Sequence, residues 1–248
     1  MPAITLRFYE ELNDFLDPPC RKVPFEITIA SHRTIKDIIE STGVPHTEVD
    51  LILANGVSVG FDYRPEESDT ISVYPVFESF DISPLVRLRP APLRNLRFIA
   101  DVHLGKLTRY LRLLGFDVLY NPTLYDREIV AVAQAEGRII LTADRGLLKR
   151  SDVTHGYCIR SDDADRQLTD VIRRFDCASK IAPFSRCMKC NGLLEEVSKD
   201  EVLDQLEPKT RKYYKEFRRC TACGKVYWKG THFDRLRNLV DAAVDKAD

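Results

Sequence analysis

The chain has 248 residues, of which 44% are hydrophobic and 30% charged, the balance of a soluble globular protein with room for more than one domain. No apolar run approaches the roughly 20 residues of a membrane span, which excludes membrane integration from the candidate roles. The amino terminus has no basic head followed by an apolar stretch, so a reducing cytoplasm is the expected compartment. The net charge of −1 conceals a separation: residues 1–80 carry 6 Lys or Arg against 14 Asp or Glu, while residues 81–248 carry 31 against 24. The basic part suits a polyanion, and the acidic part suits a protein partner or a shield over the basic part.

Residues 4–8 and 25–29 alternate apolar and polar side chains, which predicts two strands of a hairpin. Caps between Ser31 and Thr34, then Ile35, Ile38 and Ile39 at helical spacing, predict a helix that stops at Gly43. Leu51–Leu53 with the Asn55-Gly56 turn and Asp69–Pro75 supply two more strands. The order β-β-α-β-β is that of a β-grasp over residues 1–80. Residues 81–95 hold three prolines together with Arg87, Arg89 and Arg94, and read as a linker.

Apolar strands are then predicted at 96–100, 116–120 and 138–142, with a fourth at 157–159. Helices are predicted at 103–114, 126–136 and 167–175, the first with Lys106, Arg109 and Arg112 opposite its leucine face. Strands alternating with helices argue for a parallel sheet over residues 96–182. Ligands in such sheets collect beyond the carboxyl ends of the strands. Asp101 and Asp144 stand there, and Asp126 opens the helix leading into the strand that ends near Asp144. Three acids on one rim are hard oxygen donors suited to Mg²⁺ or Mn²⁺, which activates water and neutralises phosphate charge. Each acid also has a plain reading as a helix cap.

Cys187-Met-Lys-Cys190 and Cys220-Thr-Ala-Cys223 are two Cys-x-x-Cys knuckles separated by 29 residues. Four thiolates offered from two tight turns complete the tetrahedron of a structural zinc site, and leave no open position for a substrate. Gly192 and Gly224 are expected to give the knuckles their left-handed backbone. A redox role is disfavoured because redox Cys-x-x-Cys motifs open helices in βαβ units. Cys20, Cys158 and Cys177 are scattered and read as incidental or buried thiols, and His232 is surplus to a filled site. The zinc ribbon is expected over 183–237 with a tail at 238–248, and Ser198–Phe217 as a largely helical insertion. Lys209, Arg211, Lys212, Tyr213, Tyr214, Lys215, Phe217, Arg218 and Arg219 form a basic and aromatic run, continued by Lys225, Tyr227, Trp228 and Lys229. Cations that follow a backbone and rings that stack on bases suit single-stranded RNA. The competing reading makes those rings the packing of a small ribbon.

Two resemblances follow. Through Leu6-Arg-Phe8, Leu53-Ala-Asn-Gly56 and Asp69–Pro75, the first segment resembles the ubiquitin-like sulfur carriers of the thiamine and molybdopterin pathways. Those end in Gly-Gly, whereas this segment runs on through Val76–Asp81, so a sulfur-carrier role is not expected. Through Asp101-Val-His-Leu-Gly-Lys-Leu107, Tyr110-Leu-Arg-Leu-Leu-Gly115 and Gly137-Arg-Ile-Ile-Leu-Thr-Ala-Asp144, the rest resembles the PIN-domain ribonucleases and more closely the Mut-seven-C RNase family. That resemblance implies metal-dependent cleavage of RNA phosphodiesters by a PIN-like domain with Asp101, Asp126 and Asp144 as metal-binding acids. It also implies a zinc ribbon behind, held by Cys187, Cys190, Cys220 and Cys223, and a ubiquitin-like domain in front. RNA contacts are expected from Lys106, Arg109, Arg145, Lys212, Tyr213, Lys215, Arg218 and Arg219. Two departures from that family stand out: helix 103–114 carries no acid, and position 143 is alanine where the family often has arginine, with Arg145 close by as a source of the charge. The missing acid keeps open an inert RNA-binding or assembly protein.

Overall fold

The computed structural model describes residues 2–30, 32–75, 88 and 96–228. The linker 81–95 apart from Leu88, the tail 238–248, Lys229 and His232 lie outside the described residues. In chain order the first elements are β1 (Ala3–Phe8), β2 (Phe25–Thr28), α1 (Ile35–Ser41), β3 (Val49–Ala54), β4 (Val57–Ser58) and β5 (Thr70–Pro75). Next come β6 (Arg97–Ala100), α2 (Gly105–Leu113), β7 (Asp117–Tyr120), α3 (Asp126–Glu136), β8 (Ile139–Thr142), α4 (Arg145–Leu148), β9 (Gly156–Cys158) and α5 (Ala164–Arg174). The last are β10 (Leu194–Val197), α6 (Lys199–Val202), α7 (Pro208–Tyr213), β11 (Phe217–Cys220) and β12 (Val226–Trp228). They gather into two compact units, Met1–Arg94 with Tyr125–Cys158, and Asn95–Leu124 with Ile159–Asp248.

In the first unit, alternation along β1 buries Ile4, Leu6 and Phe8, and alternation along β5 buries Ile71 and Val73. β1 pairs antiparallel with β2 and parallel with β5, and the sheet order is β2-β1-β5-β3-β4. Pairing the first strand with the last, with α1 laying Ile35, Ile38 and Ile39 into the core, is the ubiquitin-like arrangement that the element order predicts. Thr34 caps α1 in a capping box, its Oγ1 accepting from Asp37 N at 3.2 Å while Asp37 Oδ2 accepts from Thr34 N at 3.2 Å.

The same unit includes α3, β8, α4 and β9. β8 is buried along its whole length and pairs parallel with β9, as the continuous apolar run of a covered parallel strand requires. Polar contacts join this segment to α1 and the turn that follows it in the ubiquitin-like domain. The buried Glu48 carboxylate accepts from Cys158 N at 2.7 Å, His46 Nε2 lies 3.0 Å from Val153 O, and Lys149 Nζ donates to Glu40 O at 2.7 Å. A buried carboxylate is tolerated because it meets a strand N–H that would otherwise lack an acceptor. None of these contacts was legible in the sequence, since Glu48 and Cys158 are 110 residues apart.

In the second unit, β6 and β7 pair parallel, Arg97 opposite Asp117 through Ala100 opposite Tyr120, with α2 as the crossover. Phe98 sits edge-on to Phe116 and Phe175, ring centroids 6.1 and 5.4 Å apart, where α5 packs on α2. Beyond it β10, β11 and β12 form an antiparallel ribbon with β11 central. Val202, Leu206 and Phe217 make its small core, with Val197, Tyr214 and Val226 around them. The insertion between the knuckles is helical as expected, and α6 closes over the ribbon rather than standing away from it. Among the described residues no helix is long and apolar enough to cross a membrane.

His46 gives the first unit a pH dependence. Burial, helped by Lys36, holds its imidazole below the ordinary 6.5, against the opposing pull of Glu40 and the Val153 carbonyl. The unfolded chain therefore takes up this proton first, and stability contributed by the neutral ring is lost as pH falls below 6.5 through the lower folded value. Thermal unfolding of wild type followed across that window should show the decline, and His46→Gln should flatten it. An unchanged slope in the variant would assign the pH dependence to other groups.

Candidate metal centre and nuclease site

The four cysteine Sγ atoms lie within 4.8 Å of one another, with Cys187 to Cys223 at 3.7 Å and Cys190 to Cys220 at 3.4 Å. Tetrahedral zinc with bonds of about 2.3 Å places its sulfurs roughly 3.8 Å apart, so the donor set fits the ion in both chemistry and spacing. Two turns bring the atoms together. In the first, Asn191 at φ 72° takes the left-handed conformation expected of Gly192, while a Cβ on Gly192 would stand 2.8 Å from Cys220 Sγ. Gly192 is thus required by close approach rather than by its dihedral. In the second turn Gly224 has φ 70°, as expected.

The thiols are not equivalent. Burial opposes ionisation of Cys187, yet the Tyr227 hydroxyl at 3.1 Å and the Cys190 and Lys189 N–H groups bring it down to about 6. Burial is the main cause that pushes Cys190 up to about 12. Tyr227 therefore serves the centre, and Phe217 and Tyr214 serve the ribbon core. For these three rings the packing reading holds. Tyr213 and Trp228 remain exposed.

Each carboxylate of the expected catalytic set opens a helix. Asp101 caps the 3-10 turn Val102–Leu104, its Oδ1 accepting from His103 N at 2.9 Å, and it is buried. Asp144 caps α4, its Oδ1 accepting from Gly146 N at 2.6 Å, and a Cβ at Gly146 would come within 3.0 Å of that oxygen. Asp126 is the first residue of α3, exposed, with Tyr125 rather than Asp126 at the cap position. Asp126 and Asp144 belong to the first unit and Asp101 to the second.

Lys106 and Arg109 lie exposed on α2, but Arg112 does not join them: it is buried at 4% exposure. Its placement one helical turn after the buried Thr108 and beside Leu111 was the available signal. Arg145 turns toward the loop between β1 and β2, with its guanidinium 5.0 Å from the centroid of Phe15 and Nη1 donating to Phe15 O at 3.3 Å. On the ribbon, Arg218 and Arg219 pair across strands with Glu196 at 2.9 Å and Glu195 at 3.3 Å. Lys212 and Lys215 are exposed, Lys212 beside the Tyr213 ring.

A mixed α/β fold with parallel strand pairing, a ubiquitin-like domain in front and a four-cysteine cluster behind defines the class. Residues 96–240 match the Mut7-C RNAse domain and residues 1–81 match the Mut7-C ubiquitin domain, so the chain belongs to the Mut7-C RNAse domain family. The human exonuclease mut-7 homolog is 38% identical over 106 residues, which are 40% of this chain and 12% of that protein. The chain therefore spans only a small part of that relative. The solved structure of SAMP1 from Haloferax volcanii covers 32% of this chain and 99% of its own, at 10% identity and a TM-score of 0.25. The matched domain of residues 96–240 is one described as an RNase domain.

Removing the metal tests the centre directly. Zinc binding by such sites contributes about 10–16 kcal/mol of gross affinity, far beyond what a core of three buried side chains supplies. A strong chelator or Cys187→Ser should therefore release zinc and melt β10–β12, read as lost amide protection in 194–228. Retained protection without metal would mean the ribbon folds on its own packing.

Proposed function

We propose that the chain is a metal-dependent ribonuclease that hydrolyses phosphodiester bonds in single-stranded RNA. The observation that carries this reading is the match of residues 96–240 to an RNase domain, with the three acids at the openings of helices. Carboxylates are hard donors that fit Mg²⁺ or Mn²⁺. When bound, that ion supplies an activated water and neutralises charge building on the phosphate. Asp101, Asp126 and Asp144 are the residues that would hold it. The cap bonds of Asp101 and Asp144 fix their rotamers before any substrate arrives, which reduces the ordering needed in the transition state. Lys106 and Arg109 meet incoming phosphates.

The ribbon contributes grip through Lys212, Tyr213, Lys215, Arg218 and Arg219. The arginine pairs with Glu195 and Glu196 are partly exposed and worth at most about 1 kcal/mol each, so a phosphate can displace the carboxylates. Arg145, held at Phe15, links the ubiquitin-like domain to the helix that Asp144 caps. We place the protein in the cytoplasm, with the acidic domain as the surface for a protein partner. The relative's description as an exonuclease makes attack from an RNA end the direction to test first.

Asp144→Asn is the decisive variant, because Asn caps helices as well as Asp and the fold is preserved. Cleavage of end-labelled single-stranded RNA with Mn²⁺ should fall by about 100-fold or more, the scale of a lost charge-stabilising group. Equal rates in variant and wild type defeat the proposal. A second reading, an inert RNA-binding or assembly protein, is favoured by one observation: α2 carries no acid. It requires salt-sensitive RNA binding with no cleavage by wild type under any divalent ion.

A further inference from the structure

Arg112 is the buried cation that the nuclease reading does not use. Its Nε and Nη2 both donate to Val118 O, at 3.0 and 2.8 Å, and its Nη1 donates to Lys189 O at 2.9 Å and Met188 O at 3.2 Å. One guanidinium therefore ties the main chain of β7 to the turn between Cys187 and Cys190. Asn191 completes the tie from the other side. Its Oδ1 accepts from Val118 N at 3.1 Å and its Nδ2 donates to Asp117 Oδ1 at 2.8 Å. Both main-chain polar groups of Val118 are thus taken by a knuckle residue or by the arginine that holds the knuckle, which covers that edge of β7.

The charge balance supplies an independent argument. A buried guanidinium is costly unless an anion accompanies it, yet the acceptors Arg112 reaches here are neutral carbonyls. The turn whose carbonyls it holds carries Cys187 and Cys190, which become thiolates when a metal binds, and Asp117 stands beside the same turn through its bond to Asn191. Four thiolates around a divalent ion leave a net charge of −2, so the ion centre and the guanidinium each answer the other's burial. As neutral thiols the cysteines would leave Arg112 with Asp117, which already lies 3.6 Å from Arg186.

We infer that Arg112 is a positioning residue of the four-cysteine metal centre, a counter-cation on α2 that orients the first knuckle and couples metal occupancy to the β6–α2–β7 layer. The inference rests on the cysteines holding zinc and is independent of the nuclease reading. Outer partners of metal sites typically carry 10–100-fold of metal affinity.

The test uses the full-length protein, chelator competition for zinc, and the charge-transfer spectrum of the cobalt-substituted centre. Arg112→Met should weaken zinc by about 10–100-fold and shift the cobalt bands, because a nearby positive charge has gone. Arg112→Lys should recover part of the affinity, as it keeps the charge but loses the fork that grips Val118 and the turn. Asn191→Gly, which accepts the left-handed backbone and deletes only the side-chain bonds, should speed amide exchange at Val118, as should zinc removal from wild type. A folded Arg112→Met protein that holds zinc within twofold of wild type with an unshifted cobalt spectrum overturns the inference. Should Arg112→Met fail to fold, Arg112→Lys decides: wild-type zinc affinity and spectrum in that variant overturn it equally. Wild type that binds no zinc at all would instead defeat the metal reading of the cysteines.

Discussion

Four sulfur atoms held within 4.8 Å are the constraint on which the carboxy-terminal part of this protein depends. As thiolates they repel one another, and as thiols they contribute little to packing, so the arrangement makes physical sense around a divalent ion. The ribbon around them has a core built from Val202, Leu206 and Phe217, too small to set strand register by burial alone. The cysteine turns bracket it instead: Cys220 ends β11, and the hydrogen bonds from Cys220 N to Lys225 O and from Cys187 N to Gly192 O close the two turns. The knuckle is then joined to the preceding α/β layer through Arg112 and Asn191, so the metal centre is not a detached appendage.

A comparable economy of buried polar groups governs the first unit. Glu48 and His46 come from the short turn between α1 and β3, and they meet strand and loop backbone of the segment that carries α3, β8, α4 and β9. Buried polar atoms of this kind contribute modestly when satisfied and cost much more when orphaned, which makes the contact selective for one docking. The acidic and basic parts inferred from composition are accordingly not two beads on a string. The segment 125–158, which belongs to the RNase domain match, is packed in one unit with the ubiquitin-like sheet.

Much of the architecture was legible because it depends on local periodicity. Alternation in β1 and β5, the leucine stripe of α2, the Asn55-Gly56 turn and the paired Cys-x-x-Cys spacing each encode their outcome within a few residues. The placement of Asp101, Asp126 and Asp144 at helix openings was legible for the same reason. The errors arose where a side chain answers to distant groups. Helical spacing sets Arg112 opposite the leucine face with Lys106 and Arg109, yet it is buried, and the left-handed dihedral expected of Gly192 is adopted by Asn191. Tyr214, Phe217 and Tyr227 sat in a run that suits stacking on bases, whereas the ribbon core and the metal centre use them.

By itself, then, the sequence determined the ubiquitin-like order, the alternating strands and helices, the four cysteines that gather into one cluster and the family to which the chain belongs. These follow from short-range pattern and from ligand chemistry that tolerates few substitutes. The tertiary structure alone decided which cations face solvent, which aromatics pack, and how the helix and turns of the ubiquitin-like domain grip residues 125–158. Such choices hinge on which donor meets which acceptor across 70 to 110 residues of chain, as in Val118 with Asn191 and Cys158 with Glu48, and no local pattern carries that information.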